Sequence, residues 1–373
     1  MGLFKLRGDL DRSQTIILGI LGFIIFIAIW WLMAEAFAKK NPIVEGFDAR
    51  LPSSIVQDST NAIDLDSLAR ADSLKFANAT EFEKVYPLLP PPLKVVQSFP
   101  ELIQKDDLFG NTFRSIWLNV QGYFWAVFIS LIFGFIIGLY PLFRGLFSKQ
   151  VDALRYLPLT ALTGMFIIWF GIEDQMKIAF LAFGIIVYLL PVVVQRIDEV
   201  GDVFLKTVFT LGSSDWQTIR TVYIPAVMSR LIDDIRVLTA ISWTYIIIAE
   251  LLNRQGGIGS LIYIKARQGQ TEKVFAILIV IILIGFIQDR IFIFIDKRLF
   301  PHKYSKSIRP GLVESQYGIY TILVVILLLL LLGALIPGIV SIMTTIAVLI
   351  GVTSLILILY GEFKIFNSKR KHA

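Results

Sequence analysis

The chain has 373 residues, of which 56% are hydrophobic and 17% charged, with a net charge of +6 and a mean hydropathy of +0.72. A soluble domain is about 45–50% apolar, and the excess here lies in runs long enough for the ~20-residue helix that crosses a bilayer, which excludes an ordinary soluble fold. The absence of Cys excludes disulfides, thiolate metal sites and Cys nucleophiles. With only His302 and His372, a His-based metal centre is not expected either. The positive balance fits the cytoplasmic flanks of a membrane protein rather than nucleic-acid binding.

The first apolar run, residues 15–36, exceeds a signal-peptide core, so it reads as a retained helix. Residues 39–113 are too polar to span. They hold a Ser/Asp/Asn-rich portion, residues 53–79, and the helix-breaking run Pro90-Pro91-Pro92. Weak helical patterning appears at 67–75 and at 93–104. Further spans follow at 116–139, 154–170 (containing Pro158) and 177–194 (containing Pro191). A polar segment, 195–234, separates these from spans at 235–252 and 274–295. Two more runs, 319–336 and 339–360, flank the turn signal Pro337-Gly338. The fold class expected is an all-α membrane protein of about eight transmembrane helices, six in a core and two in a C-terminal hairpin.

Lys and Arg set the orientation. The N-terminus, the 139–154 and 195–234 loops, the stretch after residue 295 and the tail all carry them, which puts both termini in the cytoplasm. One loop dissents, with Arg254, Lys265, Arg267 and Lys273. The long stretch 37–113 is then external.

The segment between the fourth and fifth spans carries the functional signal. Gly212 is followed nine residues later by Val222-Tyr-Ile-Pro225. Gly212 suits the left-handed end of one helix, and Ser213, Ser214 or Asp215 can cap the next. Trp216 and Ile219, three apart, share a face of that short helix, and Trp216 is a suitable anchor for a partner's pocket. Pro225 is expected to end the helix. This segment resembles the EAA loop of ABC importer permeases, Glu-Ala-Ala-x3-Gly-x9-Ile-x-Leu-Pro, although Lys206, Thr207 and Val208 replace the Glu-Ala-Ala half.

The resemblance runs from residue 88 to 301 and points to the nitrate/sulfonate/taurine type. Leu89-Pro90-Pro91-Pro92, Leu157-Pro158 with Trp169-Phe170-Gly171-Ile172, Trp243, Ala249-Glu250, Gly256-Gly257-Ile258-Gly259 and Asp289-Arg290 carry it in order. It implies a permease subunit of the bacterial inner membrane. Cytoplasmic ATPases would dock on Leu211, Gly212, Ser213, Asp215, Trp216, Ile219, Val222 and Pro225. An extracytoplasmic binding protein would deliver a small solute such as nitrate, a sulfonate, taurine or bicarbonate. No Gly-x4-Gly-Lys-[Ser/Thr] nucleotide loop occurs in the chain, so ATP and Mg belong to the partner ATPase and no cofactor or catalytic residue is assigned here. A second permease copy is the simplest way to enclose a pathway.

Pro158, Trp243, Glu250, Gly256, Gly257 and Gly259 are the candidate pathway or gate residues. Glu250 either lines the path or forms an ion pair with Arg254 one turn on. The glycines favour close backbone packing over nucleotide binding, since no strand precedes them. Asp233, Asp234, Arg236, Asp289 and Arg290 read as structural pairs, and Tyr123, Phe124 and Trp125 as packing. The organisation expected is a first helix (1–36), an external insert (37–113), a permease core (114–301) and a linker with hairpin (302–373). A scaffold that keeps the permease fold without transport is the alternative, and a secondary transporter is disfavoured by the scarcity of buried charge.

Overall fold

The computed structural model describes residues 10–42, 82–253, 255–304, 311–336 and 340–371. The helical pattern expected at 67–75 and the Pro337-Gly338 turn lie outside them. Among the described residues, seven helices are long and apolar enough to cross a membrane, or eight if one bent pair counts as a span. The order is α1 (Arg12–Ala36), strands β1 (Lys39–Pro42) and β2 (Phe82–Val85), α2 (Pro92–Gln104), α3 (Leu108–Leu139), α4 (Pro141–Leu154) and α5 (Thr163–Phe170). It continues with α6 (Asp174–Asp198), α7 (Asp202–Thr210), α8 (Asp215–Thr218), α9 (Ile224–Asn253), α10 (Ile258–Arg267), α11 (Thr271–Leu299), α12 (Leu312–Leu335) and α13 (Val340–Lys371).

Contacts divide the chain into two units. The first is Met1–Ser115 with Glu250–Ile282, and the second is Ile116–Ala249 with Leu283–Ala373. In the first, β1 and β2 pair antiparallel, with Lys39 opposite Val85, so the roots of the insert are joined. Composition gave no sign of this ribbon, because four-residue strands are too short for a readable alternation. Glu35 and Lys84 pair at its base. Trp30 of α1 donates its indole N–H to the Pro90 carbonyl at 3.0 Å and packs against Phe275. The helix at 93–104 forms as expected, with Pro92 in its first turn, where the missing N–H costs nothing.

In the second unit, α3 and α6 touch closely because glycines carry no side chain. A Cβ on Gly122 would lie 2.8 Å from Leu181, and one on Gly138 2.6 Å from Ile197. This is the small-residue packing that membrane helices use. Tyr123 is buried and donates to the Ile235 carbonyl, in line with its expected packing role.

Two spans differ from the sequence reading. The third is not one helix over 154–170. It is α4, a 3-10 turn (Leu159–Leu162) and α5, bent by 95°. Pro158 forbids the α conformation at Leu157 and removes a donor, which explains the break. The fifth begins earlier than residue 235, because α8, a π turn (Ile219–Tyr223) and α9 form one continuous helical rod, Asp215–Leu252.

Candidate functional site: a coupling elbow and a buried clasp

The elbow between α7 and α8 is closed at both ends by backbone chemistry. Gly212 has φ +76°, its N–H bonds Phe209 O, and Ser213 N–H bonds Val208 O. This is the Schellman pattern, which ends a helix and needs a residue tolerant of positive φ. Ser214 then opens α8 with a capping box: its hydroxyl accepts from Gln217 N, and Gln217 Oε1 accepts from Ser214 N at 2.9 Å. Of the three candidate caps, Ser214 makes this contact. The turn presents Leu211 at 79% and Trp216 at 68% exposure, with Phe204 and Phe209 also exposed. Asp215 and Pro225 are exposed too, while Ser213, Ile219 and Val222 are half-buried.

Pro225 does not end the helix as expected. It follows the π turn, in which Ile224 N–H reaches Ile219 O five residues back. The wider turn makes room for the proline ring and spares the bond its missing N–H would make. α8 is therefore continuous with α9 through the π turn.

The roots of the 195–234 segment are clamped. Arg196 makes a two-pronged bond to Asp234, Nε at 2.7 Å and a terminal nitrogen at 2.8 Å. It also pairs with Glu199 at 2.7 Å, which Arg230 approaches at 3.1 Å. The hydrogen bond from Arg196 holds the Glu199 carboxyl below its usual range, and Arg230 adds to this. Arg144 of α4 binds Asp198 through both oxygens. The expected structural reading of Asp234 fits these contacts, as does that of Asp289, which Arg236 holds at 2.5 Å. Arg290 stacks over Phe286.

A second constellation lies in the first unit, at the start of α10. Three consecutive backbone N–H groups there are met by side chains from α3 and α9. Gly257 N donates to Asn111 Oδ1, Ile258 N to Ser115 Oγ and Gly259 N to Glu250 Oε2, each at 2.8 Å. Ser115 Oγ in turn donates a hydrogen bond to Glu250 Oε1 at 2.6 Å. These are the groups that a helix N-terminus leaves without intrahelical partners, and a carboxylate suits that positive end. Glu250 has no exposed surface. Gly256 and Gly257 have φ +94° and +99°, and a Cβ on Gly257 would strike the Glu250 carboxylate. The glycine turn thus supports close packing, as expected. Arg254, the other partner considered for Glu250, lies outside the described residues. Asn111 and Ser115 were missed because a lone Asn and Ser at helical spacing carry no distance information.

Three cations of the dissenting loop, Lys265, Arg267 and Lys273, have local uses. Buried Lys265 pairs with Asp106 at 2.5 Å. Buried Lys273 pairs with Asp106 and Glu101 at 3.0 Å. Burial alone would push the Asp106 carboxyl up, but bonds from Lys265 and Lys273 win and hold it below its ordinary value. Arg267 stacks on Tyr263. Of the remaining candidates, Pro158 is exposed and starts the 3-10 turn at the bend. Trp243 is buried and donates to Gln288 at 2.9 Å.

The chain is thus a multi-span helical protein with a clamped, exposed elbow between two of its spans. Residues 112–301, just over half of the chain, match the family of binding-protein-dependent transport system inner membrane components, and the chain belongs to that family. It is a permease subunit of an ABC importer, it works with ATPase and binding-protein partners, and it is not itself an enzyme. A putative aliphatic sulfonates transport permease of Bacillus subtilis (strain 168) is 29% identical over 215 residues, 57% of this chain and 77% of the relative. The taurine transport system permease of Escherichia coli (strain K12) is 24% identical over 218 residues, 57% and 79%. A putative ABC transporter permease of Methanocaldococcus jannaschii is 25% identical over 207 residues, 55% and 78%.

Proposed function

We propose that two copies of this chain form the inner-membrane pathway of an importer for a small sulfonate-bearing anion, such as taurine or an aliphatic sulfonate. Nitrate and bicarbonate remain in the same chemical class of small anions. The sulfonate reading is supported by the names of the relatives above. The coupling assignment is carried by one observation, the Schellman-and-capping-box elbow that holds Leu211 and Trp216 outward. Rigid apolar anchors on a preset turn suit a groove on a soluble partner. That partner is the cytoplasmic ATPase, which holds ATP and Mg, so this chain needs no cofactor. Both termini then lie in the cytoplasm, with the 37–113 stretch and its binding-protein contacts outside. Lys265 and Lys273, the charges that argue against this orientation, are held in place by Asp106 and Glu101.

The bend at Pro158 supports the two-copy arrangement. Non-helical backbone at membrane depth is tolerated only when protein or a water-filled cavity covers it. Tyr156 and Ile168 flank that bend at 84% and 81% exposure, so this side faces the partner copy and the pathway. In this reading Glu250, Gly256, Gly257 and Gly259 frame the external gate without touching solute.

The test is reconstitution with its ATPase and binding protein in lipid. Taurine and an alkanesulfonate should stimulate ATP hydrolysis, and Trp216→Asp should abolish the stimulation while the subunit still inserts. Stimulation by nitrate alone would replace the sulfonate assignment. Full coupling in the Trp216→Asp complex would remove the elbow from the docking surface.

A further inference from the structure

We propose that the C-terminal hairpin α12–α13 is part of the body that transmits force through this subunit, with Glu362 and Arg298 as positioning residues. The proposal rests on the reading that the α7–α8 elbow receives the ATPase.

The observation is a ladder of ion pairs that crosses the second unit. Arg196 of α6 binds Asp234 of α9. Arg236 of α9 binds Asp289 of α11. Lys303, just past α11, reaches both Asp233 of α9 at 3.2 Å and Asp296 of α11 at 2.9 Å. Tyr304 donates to Asp296, which is buried. Finally Arg298 of α11 grips Glu362 of α13 through two nitrogens, at 2.6 and 2.5 Å. Ser315 of α12 donates to the same carboxylate at 3.2 Å, and Gln316 donates to the Arg298 carbonyl at 2.8 Å.

Helix geometry makes α11 the middle rail. Asp289 and Asp296 are seven residues apart and share a face, whereas Arg298 lies about 200° round from Asp296 at about 100° per residue. One face therefore holds α9, and the opposite face holds the hairpin. The hairpin is itself a tight pair. A Cβ on Gly318 would lie 2.8 Å from the Ser354 carbonyl oxygen, and Lys364 ties Glu314 at 2.6 Å.

Separating the hairpin from α11 would strand Glu362 and Arg298 at a membrane boundary, where an unpaired charge is costly. The hairpin consequently follows α11, and α11 follows α9, which is continuous with α8. A passive anchor would need only the apolar faces of α12 and α13, without a two-pronged pair aimed back at the core.

The absence of Cys makes the test direct. Spin labels at Arg220→Cys, exposed on the π turn beside the elbow, and at Leu359→Cys on α13 report their separation in the assembled transporter, with and without a non-hydrolysable ATP analogue. The expected result is one narrow distance that nucleotide does not change. Glu362→Arg should broaden it and lower sulfonate uptake about tenfold while basal ATP hydrolysis persists, and adding Arg298→Glu should restore both. If Glu362→Arg fails to insert, Glu362→Gln with Ser315→Ala carries the same expectation. A wild-type distance that shifts with nucleotide overturns the proposal. So does broadening-free, full-rate uptake in the variant that inserts. If the wild-type complex shows no stimulated hydrolysis, the docking assignment fails, and the label distance still decides whether the hairpin moves with the elbow.

Discussion

Replacing Glu250 by Ala tests the clasp at the start of α10. The carboxylate accepts from Gly259 N and from Ser115 Oγ, both within a site without solvent. Each buried donor left without an acceptor costs about 1–3 kcal/mol. Two such losses give about 2–6 kcal/mol, before any contribution from the emptied volume. Glu250→Gln is the informative control. Its amide oxygen can still accept from Gly259, but its NH2 meets Ser115, whose oxygen already accepts from Ile258. The Ser115 proton then loses its partner, for about 1–3 kcal/mol. Fluorescence-detected size exclusion after heating, in detergent, reads the order directly. At about 2–4 °C per kcal/mol, the Ala variant should melt at least about 4 °C below wild type, with the Gln variant between them. Ser115→Ala combined with Glu250→Ala should cost less than the sum of the single changes, because the two share one bond. Equal melting of Ala, Gln and wild type would refute the clasp as a structural element and return Glu250 to the list of solute contacts.

Other outcomes follow from the same geometry. Asp106→Asn should destabilise the first unit by about 3 kcal/mol, since it removes the shared counter-charge from two buried lysines. The same thermal assay measures this, and Asp106→Glu should lose less. Acid should act at the same place: the folded Asp106 carboxyl titrates below its ordinary 3.8, so its contribution is complete above about that pH and is lost as pH falls through the depressed value. Melting of wild type should therefore fall more steeply below pH 3.8 than that of Asp106→Asn. Gly212→Ala should cost about 1 kcal/mol for its left-handed backbone, and should weaken ATPase co-purification more than it weakens folding. Ser214→Ala, which removes the N-cap of α8, should cost about 1 kcal/mol and reduce stimulated ATP hydrolysis without affecting insertion.

Much of the protein is legible in its sequence, for identifiable reasons. A bilayer imposes a length and a composition on every crossing, so runs such as 15–36 and 274–295 announce themselves. The elbow was legible as well, because glycine, serine and proline have narrow backbone preferences, and the Gly212-to-Pro225 spacing placed them in one segment. Its ends were not: Pro225 reads as a terminator, and only the π turn beside it lets the helix continue. The bend of the third span was half legible, since Pro158 marked the place but not the 95° angle.

Side-chain partnership was decided by the tertiary structure. Glu250 could have faced a solute, and Lys265 could have voted on topology. Each instead meets a neighbour distant in sequence, Ser115 for one and Asp106 for the other. The hairpin shows the same division. Its existence follows from six consecutive leucines and a Pro-Gly turn signal, whereas its attachment depends on Arg298 meeting Glu362 across 64 residues. A one-dimensional pattern records the cost of placing each residue in water or lipid. It does not record which charges, once placed there, cancel one another.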